Sequence, residues 1–214
     1  MNVDVWSDVA CPWCFIGKRK FEAGLAQSGL AERVSVTYHS FELAPDTPVD
    51  FNGTEVDFLV GHKGVPREQV GRMLTQVTGI AAEAGLVYDF DALQHTNTRK
   101  AHELLHFAKS QGRQLELVER LFQAYFTEGR HVGRVDDLAD LAAEIGLDRD
   151  AALGALTEGT YAEAVAADLS QARGYGIGGV PFFVIDGRYG VSGAQPPEVF
   201  ADALRTAASE HADV

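Results

Sequence analysis

Two cysteines, Cys11 and Cys14, are the whole thiol content of this 214-residue chain. They enclose Pro12 and Trp13, and the run Cys-Pro-Trp-Cys follows a short segment rich in β-branched and aromatic residues, Asn2 to Trp6. A proline suits the first helical position, because the amide it lacks would have had no partner there. The Cys11 sulfur would then sit at the positive end of a helix, where free N–H groups favour thiolate over thiol. Cys14 lies about one turn on, close enough to close a disulfide. The chemistry that fits is thiol–disulfide exchange, in which the Cys11 thiolate attacks a partner disulfide and the less exposed Cys14 resolves the mixed disulfide. Half of a zinc site and a pair of inert buried thiols are the competing readings of the same spacing. The strand before the pair and the proline-started helix after it favour exchange.

The second landmark is distant in sequence. Gly179-Val180-Pro181 opens the apolar run Val180–Ile185, and a proline at the first residue of a central strand removes a ladder donor. A cis peptide there would turn the loop against the dithiol, keep metal from the sulfurs and leave the Val180 backbone to pair with an extended substrate. A trans proline at a strand edge is the alternative.

These residues need elements to hold them. Asn2–Trp6 reads as a strand, the segment after Pro12 as a helix with Cys14, Phe21 and Leu25 on one face and Gly29 as its stop, and Arg33–His39 as a second strand. From Pro45 to about Gly176 the periodicity is helical, with stripes Met73, Val77, Ile80, Ala81; Ala101, Leu104, Leu105, Ala108; and Leu117, Leu121, Phe122, Tyr125. Asp136 reads as the cap of a helix carrying Leu138, Leu141, Ala142 and Ile145, and 160–173 as a last helix of this block. Asp186-Gly187 signals a tight hairpin turn, and Pro196-Pro197 open a closing helix with Val199, Phe200, Ala203 and Leu204 inward. The order is βαβ, a helical block, then ββα. Residues 1–44 and 177–214 are expected to form one sheet domain, with 45–176 as an inserted helical subdomain.

Composition sets outer bounds. The chain is 46% hydrophobic and 23% charged with a formal net charge of −13, an ordinary globular balance with no basic stripe for nucleic acid or an anionic membrane. Asp4 and Asp8 occupy the region where a secretory leader would be basic and then apolar, and no run approaches the ~18 apolar residues of a membrane span. A cytoplasmic protein is expected. A lone structural disulfide would be unusual there, so the cysteines have a chemical task.

The stretches SDVACPWCFIGKRKFE, HSFELAP, NTRKAHELLHFAK, LFQAYFTEG and GVPFFVI with SGAQP together resemble the DsbA family, and within it the FrnE-like branch, over nearly the full length. The resemblance implies an α/β thioredoxin-like fold with a large all-helical insertion between the βαβ and ββα halves. It also implies a dithiol–disulfide oxidoreductase that needs no cofactor, with Cys11 as nucleophile, Cys14 as resolving thiol and Pro181 as the cis-proline. The partner would be a protein or small molecule bearing a thiol or disulfide, glutathione among them. Trp13 stands where the periplasmic oxidase of the family has histidine, and indole supplies no positive charge, so a less oxidising protein is expected. A neighbouring branch, the glutathione-dependent 2-hydroxychromene-2-carboxylate isomerases and kappa-class transferases, resembles the chain in element order and in Asn97-Thr98. That branch has serine in place of Cys11 and lacks the second cysteine.

Other constellations remain. His102-Glu103-Leu104-Leu105-His106 matches the HExxH zinc-protease pattern, with Glu116, Glu119 and His131 as possible third ligands; two histidines flanking a core stripe is the simpler account. No metal is expected. Asn97 and His102 are candidates to face the substrate, with helix capping by Asn97 as the alternative. His39 and Glu42 are candidates for a proton relay to the sulfurs, against a plain surface turn. Trp13 and Val180 are expected to line the substrate platform.

Overall fold

The computed structural model describes residues 1–212. In chain order they form β1 (Asn2–Ser7), α1 (Pro12–Ser28), a short 3-10 turn (Ala31–Arg33), β2 (Ser35–Ser40), α2 (Glu55–Lys63), α3 (Arg67–Glu83), α4 (Arg99–Ser110), α5 (Gln114–Phe126), α6 (Val135–Glu144), α7 (Arg149–Glu158), α8 (Ala162–Gly174), β3 (Phe182–Ile185), β4 (Tyr189–Ser192) and α9 (Pro197–Ala212). The fold is the expected α/β, thioredoxin-like one. Two compact units divide it: Met1–Leu43 with the segment from Ala167 onward, and Ala44–Ala166. The second division falls earlier than residue 176, within α8, because Asp168 and Ala172 are held by the sheet unit.

The sheet unit has strand order β2-β1-β3-β4. β1 runs parallel to β2 and antiparallel to β3, and β3 is antiparallel to β4. Strand alternation gives β1 two faces. Val5 lies opposite Phe183, whose ring packs at 5.3 Å from Phe21 of α1 and 4.7 Å from Phe200 of α9. Trp6, on the other face, clusters with Ala172, Ile177 and Val184, and Phe41, Val180 and Phe182 pack against them. Asp186 and Gly187 both take positive φ, 48° and 66°, in the turn between β3 and β4, as the hairpin signal requires.

In the helical unit α4 packs against α5, α6 and α7, and its stripe Ala101, Leu104, Leu105 and Ala108 is buried as expected. Three details differ from the sequence expectation. The buried positions of α3 are Val70, Val77 and Ala81, while Met73 is exposed. Arg134 rather than Asp136 is the N-cap of α6; Asp136 lies in the first turn, where its charge complements the helix dipole. In α9 the inward face is Phe200, Ala201, Leu204 and Ala207, and Val199 points out. A helix turns by about 100° per residue, so a core face mislaid by one position moves a flanking apolar residue into water.

Candidate functional site

Cys11 is the N-cap of α1, in extended conformation (φ −93°, ψ 111°), with Pro12 in the first turn. Its amide donates to the Asp8 carbonyl at 3.1 Å and its carbonyl accepts from the Cys14 amide at 3.0 Å, which fixes the geometry of the pair. The Cys11 thiol donates to the carbonyl of Val180, 3.7 Å away. Both thiols are free and buried, at 3% and 2% exposure for Cys11 and Cys14, so exposure barely separates them. Burial pushes the Cys14 thiol well above the ordinary thiol range, its hydrogen bond and charge interaction with Cys11 push the same way, and the Ser7 side chain and Asp8 backbone oppose them. Cys14 is thereby held as a thiol beside Cys11. Ser7 did not stand out in the sequence, and Asp8 did so only as an acidic residue near the N-terminus.

The peptide Val180–Pro181 is cis. Pro181 is buried, and its carbonyl accepts from the Gly193 amide at 2.8 Å. Val180, half-buried, rests on the Trp6 cluster. The structure thus brings Cys11, Cys14, Val180 and Pro181 together. Trp13, between the cysteines in sequence, is 42% exposed. Gly17, one turn past Cys14, escaped the sequence reading although its i+3 spacing places it on the same helix face. A Cβ there would lie 2.7 Å from Pro181 Cγ.

Among the remaining candidates, His39 and Asn97 hold neighbouring elements in place. His39 Nδ1 is 2.8 Å from Asp168 Oδ1, its Nε2 is 2.8 Å from Asp4 Oδ1, and its ring stacks on Trp6 at 4.5 Å. Burial opposes the imidazolium, but the bonds to Asp168 and Asp4 prevail and raise its pKa. Asp168 also accepts from the Ser40 amide at 2.8 Å, and its backbone carbonyl accepts from the Trp6 indole at 3.2 Å. With both ring nitrogens engaged by carboxylates, His39 has a structural bond at each position a proton relay would need. Glu42 is half-buried, two residues past the end of β2.

In the helical unit, Asn97 Oδ1 accepts from the Arg99 amide at 2.9 Å and its Nδ2 donates to the Pro45 carbonyl at 2.8 Å; the N-cap of α4 is its neighbour Thr98, so Asn97 braces the helix start from one residue outside it. His102 is 1% exposed inside α4. Glu103 is buried and paired with Lys100 at 3.0 Å. Glu116 pairs with Arg113 and Glu119 accepts from Gln123. His131 Nδ1 accepts from the Gly133 and Arg134 amides, at 3.0 and 3.1 Å, and its Nε2 donates to the Val49 carbonyl at 3.1 Å. Among the described residues no three His, Cys, Asp or Glu side chains gather as a metal site, and no helix is long and apolar enough to cross a membrane.

The chain is similar to known proteins along its length. A solved structure of a probable DsbA oxidoreductase, SCO1869 from Streptomyces coelicolor, shares 39% identity and superposes with a TM-score of 0.92, covering 98% of this chain and 91% of that one. The uncharacterized protein YwbO of Bacillus subtilis (strain 168) is 31% identical over 206 residues, 95% of this chain and 96% of its own length. A 2-hydroxychromene-2-carboxylate isomerase, 18% identical with a TM-score of 0.75, shares the fold over 100% of this chain and 98% of its own. A family profile described as DSBA-like thioredoxin domain matches residues 2–205. A dithiol at a helix start, met by a proline loop in a thioredoxin-like sheet, and a family match across the chain lead to one conclusion: this protein belongs to the DSBA-like thioredoxin domain family.

Proposed function

We propose that the protein is a thiol–disulfide oxidoreductase of the FrnE-like branch, acting in the cytoplasm on a protein or small molecule with a thiol or disulfide. The observation that carries this reading is the hydrogen-bonded pair Cys11–Cys14 at the start of α1, with the Cys11 sulfur against the Val180 carbonyl. In the reducing direction the Cys11 thiolate attacks one sulfur of the substrate disulfide; that S–S bond breaks, a Cys11–substrate disulfide forms, and the first substrate thiolate leaves. Cys14 then loses its proton and attacks the Cys11 sulfur. The Cys11–Cys14 disulfide closes, the second substrate thiolate departs, and the two thiolates take up two protons. The substrate gains two electrons and the enzyme dithiol loses them; the oxidising direction is the reverse. A Cys14 held protonated by burial delays the second step until a mixed disulfide places a leaving group at Cys11. Trp13, exposed beside the sulfurs, gives the substrate an apolar contact.

Replacing the resolving thiol tests the sequence of steps. Cys14→Ala should accumulate substrates joined to Cys11 and released by reductant, whereas Cys11→Ser should trap none. Insulin reduction or scrambled-ribonuclease refolding should fall by at least ~100-fold in Cys11→Ser. Equal turnover in Cys11→Ser and the parent protein defeats the proposal. The resemblance of the element order and Asn97-Thr98 to the glutathione-dependent isomerase branch makes a glutathione-dependent reaction the second reading. Retention on a glutathione column, with no disulfide turnover, would select it.

A further inference from the structure

We infer that Gly17 is a positioning residue that sets the distance between the Pro181 loop and Cys11; the inference rests on the exchange function proposed above. Glycine inside a helix is unfavourable relative to alanine, so a buried one calls for a reason. Two such glycines, Gly17 and Gly24, lie seven residues apart on one face of α1, and both are buried. Neither has positive φ, so space rather than backbone freedom accounts for them.

At Gly17 a Cβ would lie 2.7 Å from Pro181 Cγ, 3.5 Å from Pro181 Cβ and 3.6 Å from Ala194 Cβ. The obstacle is a closed ring, which cannot swing aside as a flexible side chain would. Pro181 is also tied to the turn after β4, whose Gly193 amide donates to the Pro181 carbonyl at 2.8 Å, and that turn is tied to α1 by Lys20 Nζ, which donates to the Ala194 carbonyl at 3.2 Å. The residue bonded to Pro181 is Val180, whose carbonyl receives the Cys11 thiol. A methyl group at position 17 therefore pushes Pro181 outward, and the Val180 carbonyl leaves the sulfur with it. Gly24 is crowded to a similar degree but by different atoms. A Cβ there would meet Pro197 O at 2.5 Å, Phe200 Cβ at 2.6 Å and Ala201 N at 3.3 Å. It lies where α9 crosses α1, well along the helix from the thiols, and supplies a control of matched chemistry.

The test compares Gly17→Ala, Gly24→Ala, Pro181→Ala and the double variant Gly17→Ala/Pro181→Ala in the full chain. The readouts are thermal unfolding, the rate of iodoacetamide alkylation located to Cys11, and the dithiol–disulfide equilibrium in a glutathione buffer. Gly17→Ala should uncover Cys11 and raise its alkylation rate by about fivefold or more, and should shift the glutathione equilibrium. Gly24→Ala should lower the melting temperature while leaving both thiol readouts within about twofold. With the ring removed, the remaining Cβ of residue 181 sits at ordinary contact distance. Gly17→Ala should then add nothing to Pro181→Ala, and the double variant should be more stable than Gly17→Ala alone. Unchanged thiol readouts in folded Gly17→Ala, equal effects from Gly24→Ala, or simple additivity in the double variant would each overturn the inference. If Gly17→Ala does not fold, a double variant that is equally unfolded overturns it too. Alkylation needs no turnover, so a parent protein that alkylates at Cys11 but exchanges no disulfides defeats the proposed function without deciding this question.

Discussion

His39 in the sheet unit and His131 in the helical unit are both enclosed by protein, yet their surroundings move their pKa values in opposite directions. His39 lies between Asp168 and Asp4 and its pKa is raised. His131 accepts two backbone amides on Nδ1 and donates to a carbonyl from Nε2, an arrangement open only to the neutral ring. Burial lowers its pKa and Arg134 adds to the effect, against weaker opposition from the Val49 carbonyl, Asp137 and Asp50. The contrast teaches that the residue type sets what a buried histidine can do, and the partner type decides which of those it does. In the sheet unit the partners are carboxylates, and the bonds join strands to α8. In the helical unit they are backbone groups, and the histidine serves as a clamp for a loop.

The most severe way to break the contrast is at Gly133, beside the clamp. A Cβ there would lie 2.0 Å from Thr96 Oγ1 and 2.8 Å from the Asn97 carbonyl. Gly133→Ala should cost about 3 kcal/mol, measured by urea unfolding, without moving the glutathione equilibrium of the folded dithiol. A change in that equilibrium would show that the units do not divide the tasks as described. Next comes His39→Gln, which should cost about 2 kcal/mol near pH 6. A raised pKa means the folded state binds the proton more tightly. Its stabilisation is complete below the unfolded value of about 6.5 and disappears as pH rises through the folded value. The gap in melting temperature between the parent and His39→Gln should therefore narrow from pH 6 to pH 9; a gap that widens would mean the ring is neutral in the fold. The smallest effect belongs to His131→Leu, about 1 kcal/mol at pH 8. Here the sign reverses. A lowered pKa stabilises above about 6.5 and is lost as pH falls through the folded value, so this gap should narrow on acidification.

How far these features could be read from the chain depended on the range of the interactions. The dithiol, the Pro12 helix start, Gly29 and the Asp186-Gly187 turn rest on neighbours in sequence, and each is visible in the residues themselves. Pro181 could be assigned to the dithiol only through the resemblance to the DsbA family, since nothing local connects position 181 to position 11. Gly17 was silent for the same reason: a small residue in a helix has no meaning until Pro181 is seen against it. His39 looked available for proton transfer because its partners, Asp4 and Asp168, are distant along the chain. Asn97 and His102 carried a family expectation, whereas their bonds and burial are those of helix-start and core residues. Met73 and Val199 failed as core residues because periodicity locates an apolar face only to within a position or so.

The pairing of Val3 with Ile185 has a consequence during synthesis. The helical unit is continuous in the chain and is complete before β3 has been translated. The carbonyl that covers the Cys11 sulfur belongs to Val180 and so arrives near the end of translation. For roughly ten to thirty seconds of elongation the nascent Cys-Pro-Trp-Cys segment waits on the ribosome without that cover. The two sulfurs therefore meet the thiols and oxidants of the surrounding medium before they meet the loop that later shields them, and the newborn protein's first redox state is set by its environment.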